Sequence, residues 1–400
     1  SGNTGLSKQV KSKADMAYGQ QITVTQGNDY SYQIRLANNK MIKTRDIVLF
    51  DSLENYYQES GQTTPVKASD WKGTLTGIDV SALRYLGISP KIYLSRMESL
   101  NLNDHHDLTE KIAGEAVWVD YDTFIRKYGI EAARAVAVDA SKKTDQTDYV
   151  LPQGKALTFT LYLKAPDQDN TGKEDPTAYN NVYVQNTMLS SLADKEHETP
   201  QFYRQDYTEA HYRIAGEVSL KKVDERDGQT PVGGATYLLR GTSDYGTEYQ
   251  ESRKTDRNGK ISYQEIEKGT YELVETACSK DWLPDKEVYT VTIDETGNVT
   301  VTGLTKDDAG NYLLEETPRI HADLTFEKID SITKNGVNGA EFLLTGTSKY
   351  GTDVSLQVAS KGMIGSAEIG QVSFADLELG TYELTETKAK DGYIRNTTKW

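Results

Sequence analysis

The octapeptide GTYELVET at residues 269–276 returns as GTYELTET at 380–387. A strand alternates its side chains between two faces. Tyr271, Leu273 and Glu275 therefore share one face, and Tyr382, Leu384 and Glu386 share the matching one. Each glutamate interrupts an apolar stripe. Upstream, GEVSLKKVD (216–224) aligns Lys222 with Val218 and Leu220, and ADLTFEKID (322–330) aligns Lys328 with Leu324 and Phe326. In NYLLEET (311–317), Glu316 lines up with Tyr312 and Leu314. The N-terminal half passes the same test with a different set. Lys8 keeps parity with Leu6 and Val10, Asp51 with Ile47, Leu49 and Leu53, and Asn180 with Val182 and Val184. Asn181 is the neighbouring amide, on the opposite face.

A carboxylate buried without a partner is costly, so an inward glutamate must be neutral or paired. Burial also disfavours the charged amine. A neutral amine is a nucleophile, and a protonated carboxylic acid polarises a neighbouring side-chain carbonyl and carries protons. An amine held against an Asn or Asp side chain can attack it, expel ammonia or water, and leave an amide cross-link between two strands. Such a bond forms once, without turnover, and fixed proximity supplies much of its acceleration. The plainer reading of the same residues is a satisfied polar cluster with no covalent chemistry.

The elements that carry these residues are strands. VGGATYLLRGTSDYGTEY (232–249) matches VNGAEFLLTGTSKYGTDV (337–354) at an offset of 105 residues (337 − 232). Strands about ten residues apart, split by Gly, Asp and Asn turns, predict antiparallel sandwiches. Residues 30–39, 45–53, 156–165 and 180–189 also read as strands, the last two closing the first domain. Segments 79–87 and 121–140 carry helical character and read as an insertion. The expected architecture is all-β: tandem Ig-like or prealbumin-like β-sandwiches at 1–213, 214–318 and 319–400. The first carries the partly helical insertion, and the third lacks its last strand.

Each repeat resembles the Cna B-type (SpaA-like, prealbumin-like) domain of Gram-positive pilins and surface adhesins. The residues that carry the resemblance are KVD and KID, GATYLL and GAEFLL, then GTYELVETACSKDW and GTYELTETKAKDGY. It implies that the KxD lysine bonds to an Asn or Asp of the last strand, assisted by the glutamate of the YxLxE box. By motif position these are Lys222 with Glu275, and Lys328 with Glu386. The acceptor position of the first repeat holds Glu316, in EETP, so an ion cluster and a covalent bond both stand as readings there. In the second repeat the acceptor would fall past Trp400, leaving Lys328 without a partner in this chain. Residues 1–213 resemble, more loosely, the Cna A-type arrangement of backbone pilins. That resemblance implies Lys8 as nucleophile, Asp51 as proton shuttle and Asn180 as acceptor.

The remaining signals are negative or weak. A net charge of −15 argues against binding a phosphate backbone. The one cysteine, Cys278, allows no intrachain disulfide and reads as a passive loop residue. In NDHHD (103–107) the adjacent histidines would diverge, and DQDNTGKED (167–175) lacks a calcium loop's full spacing with a terminal Glu, so neither metal nor cofactor is expected. No turnover-enzyme motif appears. LPQG (151–154) is not followed by a hydrophobic tail and basic end, and no leader, membrane span or anchor is visible. The expectation is a segment of a longer wall-anchored, extracellular stalk, in a pilus or an adhesin, adjoining other domains of the same protein. The alternative makes residues 1–213 an adhesin head for a host matrix protein or glycan, because a stalk module has little use for so long an insertion.

Overall fold

The computed structural model describes residues 5–39, 43–57, 67–192 and 195–400. Alternation shapes the N-terminal part. In the strand Gly5–Ser12 every second residue, from Leu6 through Lys8 and Val10, is buried. That strand edges a four-stranded sheet, followed in order by Asp29–Ala37, Ala156–Lys164 and Thr74–Asp79. A seven-stranded sheet packs against it. Its order is Val119–Asp120, Lys91–Ser95, Ala135–Asp139, Lys43–Asp51, Thr177–Leu192, Lys195–Arg213 and Gln21–Thr25. Tyr32, Ile34 and Leu161 from the first sheet meet Ile47, Leu49, Val182 and Val184 from the second in one core.

Two segments differ from the sequence reading. Only Tyr121–Tyr128 and Ile130–Ala132 of the stretch 121–140 are helical, the first capped by Asp120, whose carboxylate accepts the Thr123 N–H. Ala135–Asp139 is instead a strand inside the sheet. Its alternate residues feed two cores, Val136 and Val138 the main one, Ala135 and Ala137 a smaller one with Phe50, Trp118 and Tyr183. A strand covered on both faces reads as a continuous apolar run, which periodicity cannot distinguish from a helix. Second, Thr177–Leu192 does not close this part of the chain. It pairs antiparallel with Lys195–Arg213, a strand too polar to announce itself.

The first repeat places Ala215–Asp224 between Lys260–Glu267 and Tyr312–Glu316 in a three-stranded sheet, the last pairing being parallel. A five-stranded sheet faces it: Glu248–Lys254, Thr236–Thr242, Gly269–Ala277, Val288–Ile293 and Val299–Val301. The second repeat sets His321–Glu327, Ala367–Glu378 and Lys361–Ile364 against Asp353–Ala359, Glu341–Ser348 and Gly380–Lys388. A hairpin between Lys361–Ile364 and Ala367–Glu378 replaces the tight turn at 256–259. It accounts for the growth of the repeat offset from 105 to 111 residues (386 − 275). The bridge between Thr385 and Lys399 takes the place of the pairing of Val274 with Val288 in the first repeat. Among the described residues, the second repeat shows no strand corresponding to Val299–Val301 or Tyr312–Glu316.

Candidate cross-linking sites

Lys8 enters the N-terminal core from the four-stranded sheet. Asp51 and Asn180 enter from adjacent strands of the seven-stranded one, where Asp51 pairs with Val182. All three are buried. Lys8 Nζ donates to Asp51 Oδ2 in an ion pair and lies 4.2 Å from the Tyr32 ring centroid. Asp51 Oδ1 accepts Asn180 Nδ2 at 3.0 Å and the Leu53 N–H at 2.9 Å. Asn180 Oδ1 is buried with no hydrogen-bond partner among the described residues. A half-turn of the amide would present that oxygen to Asp51, which can meet it only when protonated. Asn181 is also buried, and neither polar atom of its amide has a partner among the described residues.

Glu54 is a second acid in this core, and parity offers no sign of it. It sits in the turn after the Asp51 strand, where Leu53 and Glu54 take φ of 49° and 69° and redirect the chain inward. Glu54 Oε1 accepts the Tyr30 hydroxyl at 2.5 Å and the Gly73 N–H at 3.4 Å. Burial pushes its carboxyl up to about 7, against the opposing pull of the Tyr30 hydrogen bond and the Lys8 charge.

In the first repeat Lys222 is fully buried and faces three carboxylates. Its Nζ lies 3.2 Å from Glu275 Oε2, 3.3 Å from Glu316 Oε2 and 3.7 Å from Asp285 Oδ2, and it donates to the Tyr237 hydroxyl. Asp285 Oδ2 accepts the hydroxyls of Tyr237 at 3.0 Å and Tyr289 at 2.8 Å, while its N–H donates to Glu275 Oε1 at 2.9 Å. Burial pushes Glu316 up to about 7; Lys222 opposes this, and Glu275 and Asp285 reinforce it. Burial, then Asp285 and Glu275, also drives the Tyr237 phenol far above its usual range, so it remains a donor. Asp285 and the tyrosines escape the sequence reading for different reasons. Asp285 lies in the loop 278–287, where strand parity has no meaning, and an inward tyrosine looks like any other core residue.

In the second repeat Lys328 falls just past the end of its strand and is partly exposed. It lies against the glutamate of its own YxLxE box: Glu386 is fully buried, and its Oε2 lies 3.3 Å from Nζ. The same oxygen accepts the Asn396 N–H at 2.6 Å. No amide or carboxyl acceptor is assigned to Lys328 among the described residues.

The other singled-out residues have local roles. Cys278 Sγ donates to the Trp282 carbonyl at 3.6 Å, and burial, then Glu275 and Glu316, push its thiol up, away from the reactive thiolate. His105 pairs with Glu110 at 2.8 Å, whereas His106 stacks on Phe202 with centroids 3.8 Å apart.

Residues 216–308 and 322–400 match the family model SpaA, a prealbumin-like fold domain. A comparison with curated proteins returns no match. Among solved structures, the Bacillus anthracis TIE protein is similar at 12% identity and a TM-score of 0.27, over 100% of this chain and 55% of that one. This chain thus spans about half the length of that relative. A streptococcal ancillary pilin is similar at 14% identity and a TM-score of 0.30, over 80% of this chain and 89% of that one. The shaft pilin SpaA of Lactobacillus rhamnosus GG is similar at 16% identity and a TM-score of 0.27, over 46% of this chain and 92% of that one.

Proposed function

We propose that this chain, with its two SpaA-type domains, is a load-bearing stalk segment of a Gram-positive surface protein or pilus, stiffened by a self-formed amide cross-link. The observation that carries the reading is the convergence of Lys8, Asp51 and Asn180, buried and in contact, from facing sheets. In the proposed step Lys8 Nζ, having passed a proton to Asp51, attacks Asn180 Cγ. Asp51 gives that proton to the departing Nδ2 and takes a second one from Nζ. The C–N bond of the amide breaks, and ammonia leaves. The product amide joins Nζ of Lys8 to Cγ of Asn180, with atoms and charge in balance.

The Lys222 site supports a weaker version of the same chemistry, in which Glu275 relays protons and Glu316 is the acceptor, releasing water. Lys328 and Glu386 form the corresponding pair of the second repeat. The segment would act at the cell surface, joined to neighbouring domains of its own protein or pilus; among the described residues no helix is long and apolar enough to cross a membrane.

Intact mass spectrometry with peptide mapping tests this directly. The chain should weigh one ammonia less than its sequence, with Lys8 and Asn180 peptides linked, and Lys8→Ala should restore the full mass. A native mass equal to the sequence mass ends the covalent reading while leaving the fold intact.

A second reading, an adhesin head, is favoured by one feature. Asp79, Arg84, Tyr93, Asp120 and Asp122 line an open cleft where the short helix Ser81–Tyr85 and the helix Tyr121–Tyr128 meet the sheet. Its test is glycan and matrix-protein binding by the whole chain, compared with Arg84→Ala and Asp122→Ala. Deleting 121–140 is no test, because it removes the buried strand Ala135–Asp139.

A further inference from the structure

The dipeptide Arg-Ile occurs immediately ahead of each repeat, at 213–214 and 319–320. Its surroundings are duplicated contact for contact. The Ile214 N–H donates to the Tyr245 hydroxyl at 3.0 Å, and the Ile320 N–H to the Tyr350 hydroxyl at 2.9 Å. The Ile214 carbonyl accepts the Lys268 N–H at 2.7 Å, and the Ile320 carbonyl accepts the Leu379 N–H at 2.8 Å. The guanidinium of Arg213 lies 4.5 Å from the Tyr245 ring centroid, that of Arg319 5.6 Å from Tyr350. Arg213 pairs with Glu267 at 3.4 Å and Arg319 with Glu378 at 3.2 Å.

Each arginine also reaches back to the element that precedes the repeat. Arg213 Nη1 lies 2.7 Å from Asp175, and Arg319 Nε donates to the Trp282 carbonyl at 3.2 Å, while its backbone N–H donates to Asp281 O at 2.8 Å. A flexible linker needs none of this. Connections of one residue at the first joint and four at the second, each with paired backbone, a guanidinium near a tyrosine ring and an ion pair to the repeat, remove torsional freedom that a linker provides.

We propose that these contacts are a repeated plug and socket: the Arg-Ile end of one module locks into the Tyr–Glu end of the next and holds consecutive modules in one fixed orientation. The socket is Tyr245, Glu267 and the Lys268 N–H in the first repeat, and Tyr350, Glu378 and the Leu379 N–H in the second. The partner it fits is an extended segment ending in Arg-Ile. The two joints differ in strength. Ile214 is buried in the N-terminal core, and Gln26 adds two hydrogen bonds to the Ala215 backbone, whereas Ile320 is exposed. The first joint is therefore the stiffer. This device does not depend on any cross-link.

Pulsed electron-spin distance measurement on the whole chain tests it. The exposed residues Ser252 and Ser355 are changed to cysteine in a Cys278→Ser background and spin-labelled. The proposal requires a narrow distance distribution across the second joint, broadened roughly twofold or more by Arg319→Ala with Tyr350→Phe. Arg319→Lys keeps the charge but loses the planar fork and should broaden it less; it also serves if the double variant does not fold. A native distribution as broad as that of the variants, or variants as narrow as the native chain, overturns the proposal.

Discussion

Lys222 is ringed by three carboxylates, and one ammonium cannot hold all of them ionised in a dry core. Glu316 gives way, its carboxyl pushed up to about 7 from an ordinary 4.5. Between those pH values the folded chain holds a proton that the unfolded chain has released, so stability falls as pH rises through the window and is level above it. Glu54 titrates over the same range for the same main reason, burial. Each acid contributes roughly 3 kcal/mol at most, counted at 1.36 kcal/mol per pH unit. Urea melts at pH 4.5 and 7.5 should therefore show a less stable chain at the higher pH. Glu316→Gln should remove part of that slope, and Glu54→Gln with it most of the remainder. A slope of the opposite sign would exclude both assignments.

At the scale of elements, the lysine strands depend on one glycine each. Lys222 donates its N–H to the Gly259 carbonyl at 2.7 Å, and Lys328 does the same to Gly370 at 2.7 Å. Both glycines adopt left-handed φ, 71° and 70°, and an added Cβ would stand 2.3 Å from the Lys222 carbonyl and 2.2 Å from the Lys328 carbonyl. Backbone cannot yield to that contact cheaply. Gly259→Ala is expected to cost about 1–3 kcal/mol of stability, the range for enforced backbone strain. Chemical denaturation measures it. Displacement of Lys222 should also lower Tyr237 order, read as increased exchange broadening of its ring resonances, with Gly370→Ala acting on the second repeat alone.

For the whole molecule, the consequence of a Lys8–Asn180 bond is mechanical. The bond would enclose a loop of 172 residues (180 − 8), restricting the unfolded chain by about 5 kcal/mol in the loop-entropy account. Pulled from its ends, the N-terminal part could then release only the residues outside that loop. Single-molecule stretching of the chain should show Lys8→Ala gaining roughly 60 nm of contour length relative to the native protein, at about 3.4 Å per residue. Equal contour lengths would mean that no covalent bond bridges the sheets.

Much of the core was legible in the sequence by itself, because strand parity is a local rule. Lys8, Asp51, Asn180, Lys222, Glu316 and Glu386 could be picked out as polar residues on apolar stripes without knowing what they touch. The repeats, their turns and the all-β architecture follow from equally local patterns. Tertiary structure alone decided which polar groups meet. Glu54 enters the core from a left-handed turn and Asp285 reaches Lys222 from a loop, where no period operates, and Tyr237 is distinguished from other inward tyrosines only by the carboxylates beside it. Ala135–Asp139 became a strand through burial on both faces, and the Arg-Ile dipeptides became joints through partners more than 25 residues away. Pattern reports which face a side chain takes; only folding in three dimensions sets its distance from a group far along the chain.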